Sequence, residues 1–378
     1  MADFEEELRV IREAGLLRSL RTLTSPQGPT IEMEGRRVLN FCSNDYLGLA
    51  DDPRLKKAAI EAVERFGSGS GAARLISGHN ELIEKLEREL ALLKGAASAL
   101  VFNSGYHANI GVIPALAGTG DLIFSDALNH ASLIDGCRLS KAKTVVYRHN
   151  DLNHLEALLK DTPLPSRERV AVGRVRVIIT EAVFSMEGDL CPLKDLLSLA
   201  ERYDALIYLD EAHAVGVFGN GEGVLHHPPE RVICMGTLGK AFGSYGAFVA
   251  GSKTMRDYWI NKARSFIFST ALPPAAVGAA LAATNIIRTE PERRQRLWKN
   301  IRQVRDHPSP ILSIPIGPAD KTMELSKQLL EMGIYVQGIR PPTVPEGTSR
   351  LRLTLTSAHT TAQIETLLGA LKQLQTPS

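Results

Sequence analysis

The sequence predicts an α/β protein, a mostly parallel central sheet flanked by helices, with a smaller α+β domain assembled from the N- and C-terminal segments. Three observations predict it. Short apolar segments alternate with helical patterns from about residue 80 to residue 250, and their near-continuous hydrophobicity is that of strands covered on both faces. The 378 residues are too many for one small core, so two domains are the natural expectation. Residues 351–356, Leu-Arg-Leu-Thr-Leu-Thr, alternate as a half-buried antiparallel strand does, which sets the C-terminal region apart. The expected division is an N-terminal arm at 1–48, a large α/β domain at 49–285 and a small α+β domain at 286–378, joined by the arm.

The elements follow in order. Residues 3–22 carry a helical pattern, with Phe4, Leu8, Ile11, Leu16, Leu17 and Leu20 set among charges. A turn at 25–28 precedes a strand pair around Ile31–Met33 and Arg37–Phe41, and a helix then starts with Pro53 in its first turn. His79–Leu93 puts Leu82, Ile83, Leu86, Leu90 and Leu93 on one stripe. Strands are expected at Ala99–Phe102, Leu122–Phe124, Thr144–Tyr147, Val175–Thr180, Ala205–Leu209, Val232–Met235 and Ala247–Ala250. A helix runs from Pro274 to about Ile287. A helix at Met323–Met332, a strand at Gly333–Gln337, the turn Arg340-Pro-Pro-Thr-Val-Pro and a closing helix at Thr361–Leu374 complete the chain. Asp161–Gly173 reads as an insertion.

Bulk properties exclude several functions. A net charge of +2, from 44 basic and 42 acidic residues, leaves no electrostatic footprint for nucleic acid or a membrane surface. Cys42, Cys137, Cys191 and Cys234 lack metal-site spacing, so no metal is expected, and they fit a reduced, cytoplasmic setting. The acidic N-terminus lacks the apolar core of a secretory signal, and the apolar run Ala275–Ile287 is too short to span a bilayer.

The chemistry is concentrated at two strand ends. Lys240 sits in the glycine-bracketed turn Thr237-Leu-Gly-Lys-Ala-Phe-Gly behind strand 232–235, and Asp210 ends strand 205–209 within Asp-Glu-Ala-His213. Such a pair is what a pyridoxal 5'-phosphate enzyme needs: a lysine amine to bind the aldehyde and a carboxylate to keep the pyridine nitrogen protonated. Thr237 adds a hydroxyl at a distance suited to a phosphate. Phe102-Asn-Ser104-Gly105-Tyr106 leaves a strand and opens a helix, which fits either an anion site at the helix N-terminus or an ordinary turn capped by Ser104. His130, after strand 122–124, could stack on a planar ring or lie on the surface, and Ser185 could donate to a phenolic oxygen. The glycine-rich stretch 67–78 follows a helix rather than a strand, so it is no dinucleotide loop and reads as a flexible wall of the site.

With these residues assembled, the chain resembles the α-oxoamine synthases, a family of fold-type I pyridoxal-phosphate enzymes. Ser43-Asn-Asp-Tyr-Leu-Gly-Leu, Phe184-Ser-Met-Glu-Gly-Asp, Asp210-Glu-Ala-His, Gly239-Lys240 and Arg350-Leu-Arg-Leu-Thr-Leu-Thr carry the likeness, which runs over nearly the whole length. Two departures are minor: Glu211 and Glu187 stand where relatives commonly carry Asp. The resemblance implies that Lys240 holds the cofactor and moves the proton, that Asp210 pairs with its ring nitrogen, and that His130 stacks on the ring. It implies that Ser185 and His213 reach the phenolic oxygen, that Ser104, Gly105, Tyr106 and Thr237 serve the phosphate, and that Ser269 and Thr270 reach the phosphate of the partner in a homodimer with shared sites. Arg352 and Asn44 would take the amino-acid carboxylate, with Arg21, Thr354 and Arg340 as further substrate residues; Arg350, two residues from Arg352, competes for that role. Gly338-Ile-Arg340-Pro-Pro-Thr-Val-Pro points to the branch that condenses L-alanine with a pimeloyl thioester carried on coenzyme A or acyl carrier protein. A guanidinium fixed before two prolines could recognise the distal carboxylate of such a chain. Rival readings are the branch that uses glycine and acetyl-CoA, an aminotransferase, and a non-catalytic protein of the same fold.

Overall fold

The computed structural model describes residues 3–162 and 175–375. The expected insertion Asp161–Gly173 therefore lies almost wholly outside the described residues. In chain order the elements are α1 (Phe4–Glu13), β1 (Thr30–Met33), β2 (Arg36–Asn40), α2 (Pro53–Phe66), α3 (Glu81–Lys94), β3 (Ser98–Phe102), α4 (Gly105–Leu116), β4 (Leu122–Asp126), α5 (Ala131–Leu139), β5 (Lys143–Tyr147) and α6 (Leu152–Asp161). There follow β6 (Arg176–Glu181), α7 (Leu193–Arg202), β7 (Ala205–Asp210), β8 (Val232–Thr237), β9 (Ala247–Gly251), α8 (Lys253–Lys262), α9 (Arg264–Ile267) and α10 (Pro274–Thr289). The last are α11 (Pro291–Val304), β10 (Ile311–Gly317), α12 (Ala319–Glu331), β11 (Ile334–Tyr335), β12 (Gln337–Ile339), β13 (Ser349–Thr354) and α13 (Thr361–Gln375). Two compact units result. The larger takes Asp52–Ser185 and Asp189–Arg294, and the smaller takes the chain up to Asp51, Met186–Gly188 and the chain from Gln295.

The larger unit is built on a seven-stranded sheet in the order β3-β9-β8-β7-β6-β4-β5. Neighbours from β8 to β5 are parallel, and β9 alone runs against both of its neighbours. All seven expected strands are present. Strands β3, β4 and β9 are buried along their whole length because helices cover both faces, whereas β5, at the edge, leaves Thr144 and Val146 exposed. Pro53 stands in the first turn of α2, whose N-cap Asp52 accepts the Arg54 N–H at 3.0 Å. The alanine-rich α10 packs on α2 and α3. Gly278 permits the closest approach, since a Cβ there would lie 2.5 Å from the Ala58 carbonyl oxygen. α10 and the residues to Arg294 consequently belong to the larger unit, where the sequence reading ended that domain at 285.

The smaller unit holds two three-stranded sheets, β1-β2-β11 and β10-β13-β12. Several expectations are corrected here. The helix read over 3–22 ends at Glu13, because Gly15 at φ 68° turns the chain away, and none of its residues is buried. The strand read at 333–337 is two short strands paired to different sheets. β13 is not half-buried: it is the central strand, hydrogen-bonded antiparallel on both sides, and Leu351–Thr354 are all buried. α11 and β10 escaped the sequence reading. In α11 the core stripe is only Leu297 and Ile301 among many charges, and in β10 Pro315 sits beside a break in register at Gly317.

His359 ties this unit together and makes it acid-sensitive. Its ring stacks on Phe41 at 4.3 Å, its Nδ1 accepts the Thr356 N–H at 3.0 Å and its Nε2 donates to the Asn40 carbonyl at 3.1 Å. Burial pushes the imidazole down to about 4. Stability is therefore complete above the unfolded value near 6.5 and drains away as pH falls from there toward 4, a loss of roughly 2 kcal/mol by pH 5. Urea midpoints of wild type and His359→Gln between pH 8 and pH 5 are expected to differ in slope, with the variant flatter; parallel profiles would refute this assignment.

Candidate active site

Because β3, β8, β7, β6 and β4 run in the same sense, their carboxyl ends share one rim, where a sheet of this kind places its ligands. That rim carries Ser104 after β3, Thr237 and Lys240 at and after β8, Asp210 ending β7, Glu181 ending β6 and His130 after β4. Lys240 Nζ lies 2.8 Å from His213 Nε2. The lysine is presented by a tight turn in which the Leu238 N–H bonds the Gly246 carbonyl at 2.8 Å and the Ser244 N–H bonds the Leu238 carbonyl at 2.9 Å. The Thr237 hydroxyl serves the same turn, donating to the Gly246 carbonyl at 3.1 Å and accepting the Gly239 N–H at 3.2 Å.

Asp210 is buried, and its carboxylate accepts the Ala212 N–H at 2.9 Å and the Asn109 side-chain amide at 3.1 Å. Tyr208 donates to Asn109 Oδ1 at 2.8 Å, and the same Asn109 amide reaches Ser132 Oγ at 2.9 Å. Ser132 in turn meets His130 Nδ1 at 2.8 Å, so one chain of hydrogen bonds connects the carboxylate to the imidazole. Nδ1 also accepts the Ser132 N–H at 3.2 Å, which leaves the proton of a neutral His130 ring on Nε2. Burial lowers the His130 pKa, against the pull of Asp210 and with the help of Lys240, so the neutral form is favoured.

Glu181, which the sequence reading did not single out, is central. It stands in register with Asp210, is buried, and accepts the His130 N–H at 2.6 Å and the Ser185 N–H. Burial and the adjacent Asp210 charge push its carboxyl well up, opposed by Lys240 and the two amides. A signal existed: an acid at the carboxyl end of a strand beside another such acid. Asn109 offered none, because its role depends on α4 lying over β7.

At the start of α4 the His107 N–H bonds Ser104 Oγ at 3.2 Å and the Ala108 N–H bonds the Ser104 carbonyl at 2.9 Å. The Ser104 cap is therefore present, and a helix start of this kind leaves its first amides, those of Gly105 and Tyr106, without intrahelical carbonyl partners. The Tyr106 hydroxyl donates to Asp135 at 2.5 Å. Thr270 is held beside this turn, pairing with Ala73 and accepting from the Asn103 side chain at 2.8 Å. The glycine-rich stretch is anchored at its far end, where Arg74 pairs with the buried Glu87 at 2.6 Å and residues 74–78 form one turn of π-helix.

Within the smaller unit the structure brings Asn44, Arg352 and Thr354 together: Arg352 donates to Thr354 Oγ1 at 3.1 Å and to Asn44 Oδ1 at 3.2 Å. Arg350, its competitor, is taken by Glu187 at 2.7 Å. Arg21 is not part of that group and pairs on the surface with Glu34 at 3.0 Å. Arg340 is buried apart from them, donating to the Leu17 carbonyl at 2.7 Å and touching Met323 Sδ, with no ion pair among the described residues.

The rim suits pyridoxal 5'-phosphate by its donor chemistry. It offers a lysine amine, two amides at a helix start, and a buried carboxylate that makes no ion pair among the described residues and so lacks the cation a pyridinium supplies. No helix among the described residues is long and apolar enough to cross a membrane, and no group of ligands among them could hold a metal ion.

Comparison with known proteins agrees with this geometry. The model of the family described as aminotransferase class I and II matches residues 36–371. An 8-amino-7-oxononanoate synthase of Citrifermentans bemidjiense is 49% identical over 391 residues, covering 99% of this chain and 98% of that protein. The protein of the same name from Geobacter sulfurreducens is 49% identical, covering 97% and 96%. Among solved structures, a serine palmitoyltransferase of S. paucimobilis bound to pyridoxal phosphate and myriocin superposes with a TM-score of 0.89 at 30% identity over 98% of this chain and 96% of that one. An 8-amino-7-oxononanoate synthase from Francisella tularensis gives a TM-score of 0.74 at 31% identity, covering 89% and 97%. A lysine and an acid on one rim, the fold-type I sheet beneath them and near-full-length identity lead to one conclusion: the chain belongs to the aminotransferase class I and II family and, within it, to the α-oxoamine synthases, acyltransferases that depend on pyridoxal 5'-phosphate.

Proposed function

We propose that this enzyme condenses L-alanine with a pimeloyl thioester, releasing CO2 and the thiol and forming 8-amino-7-oxononanoate, the reaction that serves biotin synthesis. The observation that carries this reading is the 49% identity, over nearly the whole chain, to proteins of that name. When bound, the cofactor withdraws electrons from the bonds at the alanine Cα. The Lys240 amine then takes the Cα proton and later returns one, with His213 2.8 Å away to orient it. Asp210, with Asn109 and Tyr208 behind it, would supply a negative charge to the ring nitrogen, and His130 would stack on the ring. Ser185 and His213 serve the phenolic oxygen, and Ser104, the amides of Gly105 and Tyr106, and Thr237 serve the phosphate. Arg352, fixed by Asn44 and Thr354, binds the alanine carboxylate through its two-pronged guanidinium, with Arg21 as a further substrate contact. We further propose a cytoplasmic homodimer in which Ser269 and Thr270 reach the partner's phosphate, with coenzyme A or acyl carrier protein as thioester carrier.

Mass spectrometry of the product formed from alanine and pimeloyl-CoA tests the reaction. The expected product is 8-amino-7-oxononanoate, and faster turnover of glycine with acetyl-CoA would overturn the reading. Arg340 supports the choice of acyl chain, since a buried guanidinium without a carboxylate partner among the described residues suits the distal carboxylate of pimeloyl. Arg340→Ala is expected to lower turnover of pimeloyl-CoA about a hundredfold while octanoyl-CoA changes little, the loss of one charge-assisted pair. Equal loss on both substrates would remove Arg340 from selectivity.

A further inference from the structure

We propose that His149, which the reaction leaves unused, is a positioning residue whose imidazolium bridges Asp126 and Asp189 and so locks together the two loops that carry His130 and Ser185. The inference rests on the reading of those two residues as facing the cofactor. His149 lies in the connection from β5 to α6. Its Nδ1 is 2.9 Å from Asp126 Oδ1 and its Nε2 is 2.8 Å from Asp189 Oδ2. Ionised carboxylates only accept, so both ring nitrogens carry protons and the ring is a cation.

Each carboxylate is built into one of the loops. Asp126 ends β4, and its oxygens also accept the Leu128 N–H and the Asn150 N–H, both at 2.9 Å, which shapes the four-residue path to His130. Asp189 belongs to a hairpin closed by the Cys191 N–H on the Ala182 carbonyl at 3.2 Å, by the bridge between Val183 and Leu190, and by the Phe184 N–H on the Asp189 carbonyl at 3.0 Å. The His149 ring packs edge-on against Phe184 at 4.3 Å, immediately before Ser185. Asn150 doubles the link, its side-chain amide donating to Asp189 at 2.9 Å and to the Leu190 carbonyl at 3.2 Å. Glu181 ties the same two loops from inside the site, through the amides of His130 and Ser185. The cofactor-facing pair is thus held by an inner carboxyl and an outer ion clamp.

The surrounding groups favour the cation. Burial alone would lower the His149 pKa, but the two hydrogen-bonded carboxylates reverse this and push it up to about 10. The other titratable groups near the clamp, Tyr147 and Cys191, have pKa values pushed up by burial and stay neutral, and Arg148 is engaged by Asp151 at 2.7 Å. The clamp is therefore complete at neutral pH and opens only as pH rises through about 10.

Two measurements test this. In the apo-protein, 15N spectra of the imidazoles, with His149 assigned by its absence in His149→Gln, are expected to show both ring nitrogens protonated from pH 6 to pH 8.5. Asp189→Asn is expected to bring the titration down into that range. A wild-type His149 that titrates near pH 6.5 would overturn the proposal. Separately, His149→Gln and Asp189→Asn are each expected to weaken pyridoxal 5'-phosphate binding to the apo-protein about tenfold, with the double variant no weaker than either, as partners in one clamp require. Unchanged affinity in His149→Gln, or fully additive losses, would overturn the positioning role. If the wild type itself takes up no cofactor, the functional reading fails, while the imidazole titration still decides whether the clamp exists.

Discussion

Replacing Lys240 by Ala is expected to abolish condensation, with turnover falling about a thousandfold or more, because in the proposed reaction this one side chain would both anchor the cofactor and move the Cα proton. The geometry makes this a clean experiment. The turn that presents Lys240 is held by backbone bonds from Leu238 to Gly246 and from Ser244 to Leu238, and its neighbours Ala241 and Phe242 are buried. Truncating the lysine leaves those contacts in place, so the variant should fold with an unchanged melting temperature and without the visible colour of a lysine-linked cofactor. His213 would lose its partner at 2.8 Å but keeps its place in the turn after β7. A variant that retained more than a tenth of wild-type turnover would remove Lys240 from the chemistry and, with it, the functional reading.

The largest effect on stability is expected for Lys94→Met. Lys94 ends α3 with its side chain almost fully buried, pairs with Glu211, and donates to the carbonyls of Glu222, at 2.8 Å, and Leu225. Glu211 is fully buried and also accepts the Val224 N–H at 2.9 Å. Burial alone would lower the lysine pKa, but Glu211, by its charge and hydrogen bond, together with Cys234 and Glu222, outweighs it and the pKa is raised, so the pair is ionic. Removing the cation strands a carboxylate in the core next to Asp210, which costs about 3–5 kcal/mol. Removing both charges at once, in Lys94→Met with Glu211→Gln, should recover a large part of that loss, since no buried charge is left unpaired. Urea midpoints of the single and double variants measure both effects. A single variant within about 1 kcal/mol of wild type would show that the pair is not the brace the structure indicates.

Much of the fold was readable because it is local. Each strand of the large sheet carries a short apolar run, and such runs keep their character whatever packs on them; β3, β4 and β9 are buried along their whole length. Misreadings came where a local pattern met a tertiary constraint. The apolar residues after Glu13 continue a helical period, but Gly15 takes a left-handed turn and the helix stops. β13 alternates like a surface strand, yet its partners on both sides bury the polar positions too, and Arg352 becomes a buried cation held by Asn44 and Thr354.

The amino-acid sequence was enough to establish the class of fold and the family to which the chain belongs, and to point to the lysine and the acid proposed to carry the chemistry, since each is written in short contiguous motifs. Tertiary structure alone decided which acids and cations stand beside them. Glu181 meets His130 across 51 positions of sequence, Asn109 meets Asp210 across 101, and His149 draws Asp126 and Asp189 from 23 and 40 positions away. Those contacts exist because parallel strands bring distant chain ends to one rim, and no periodicity within a segment records which segment will lie next to it.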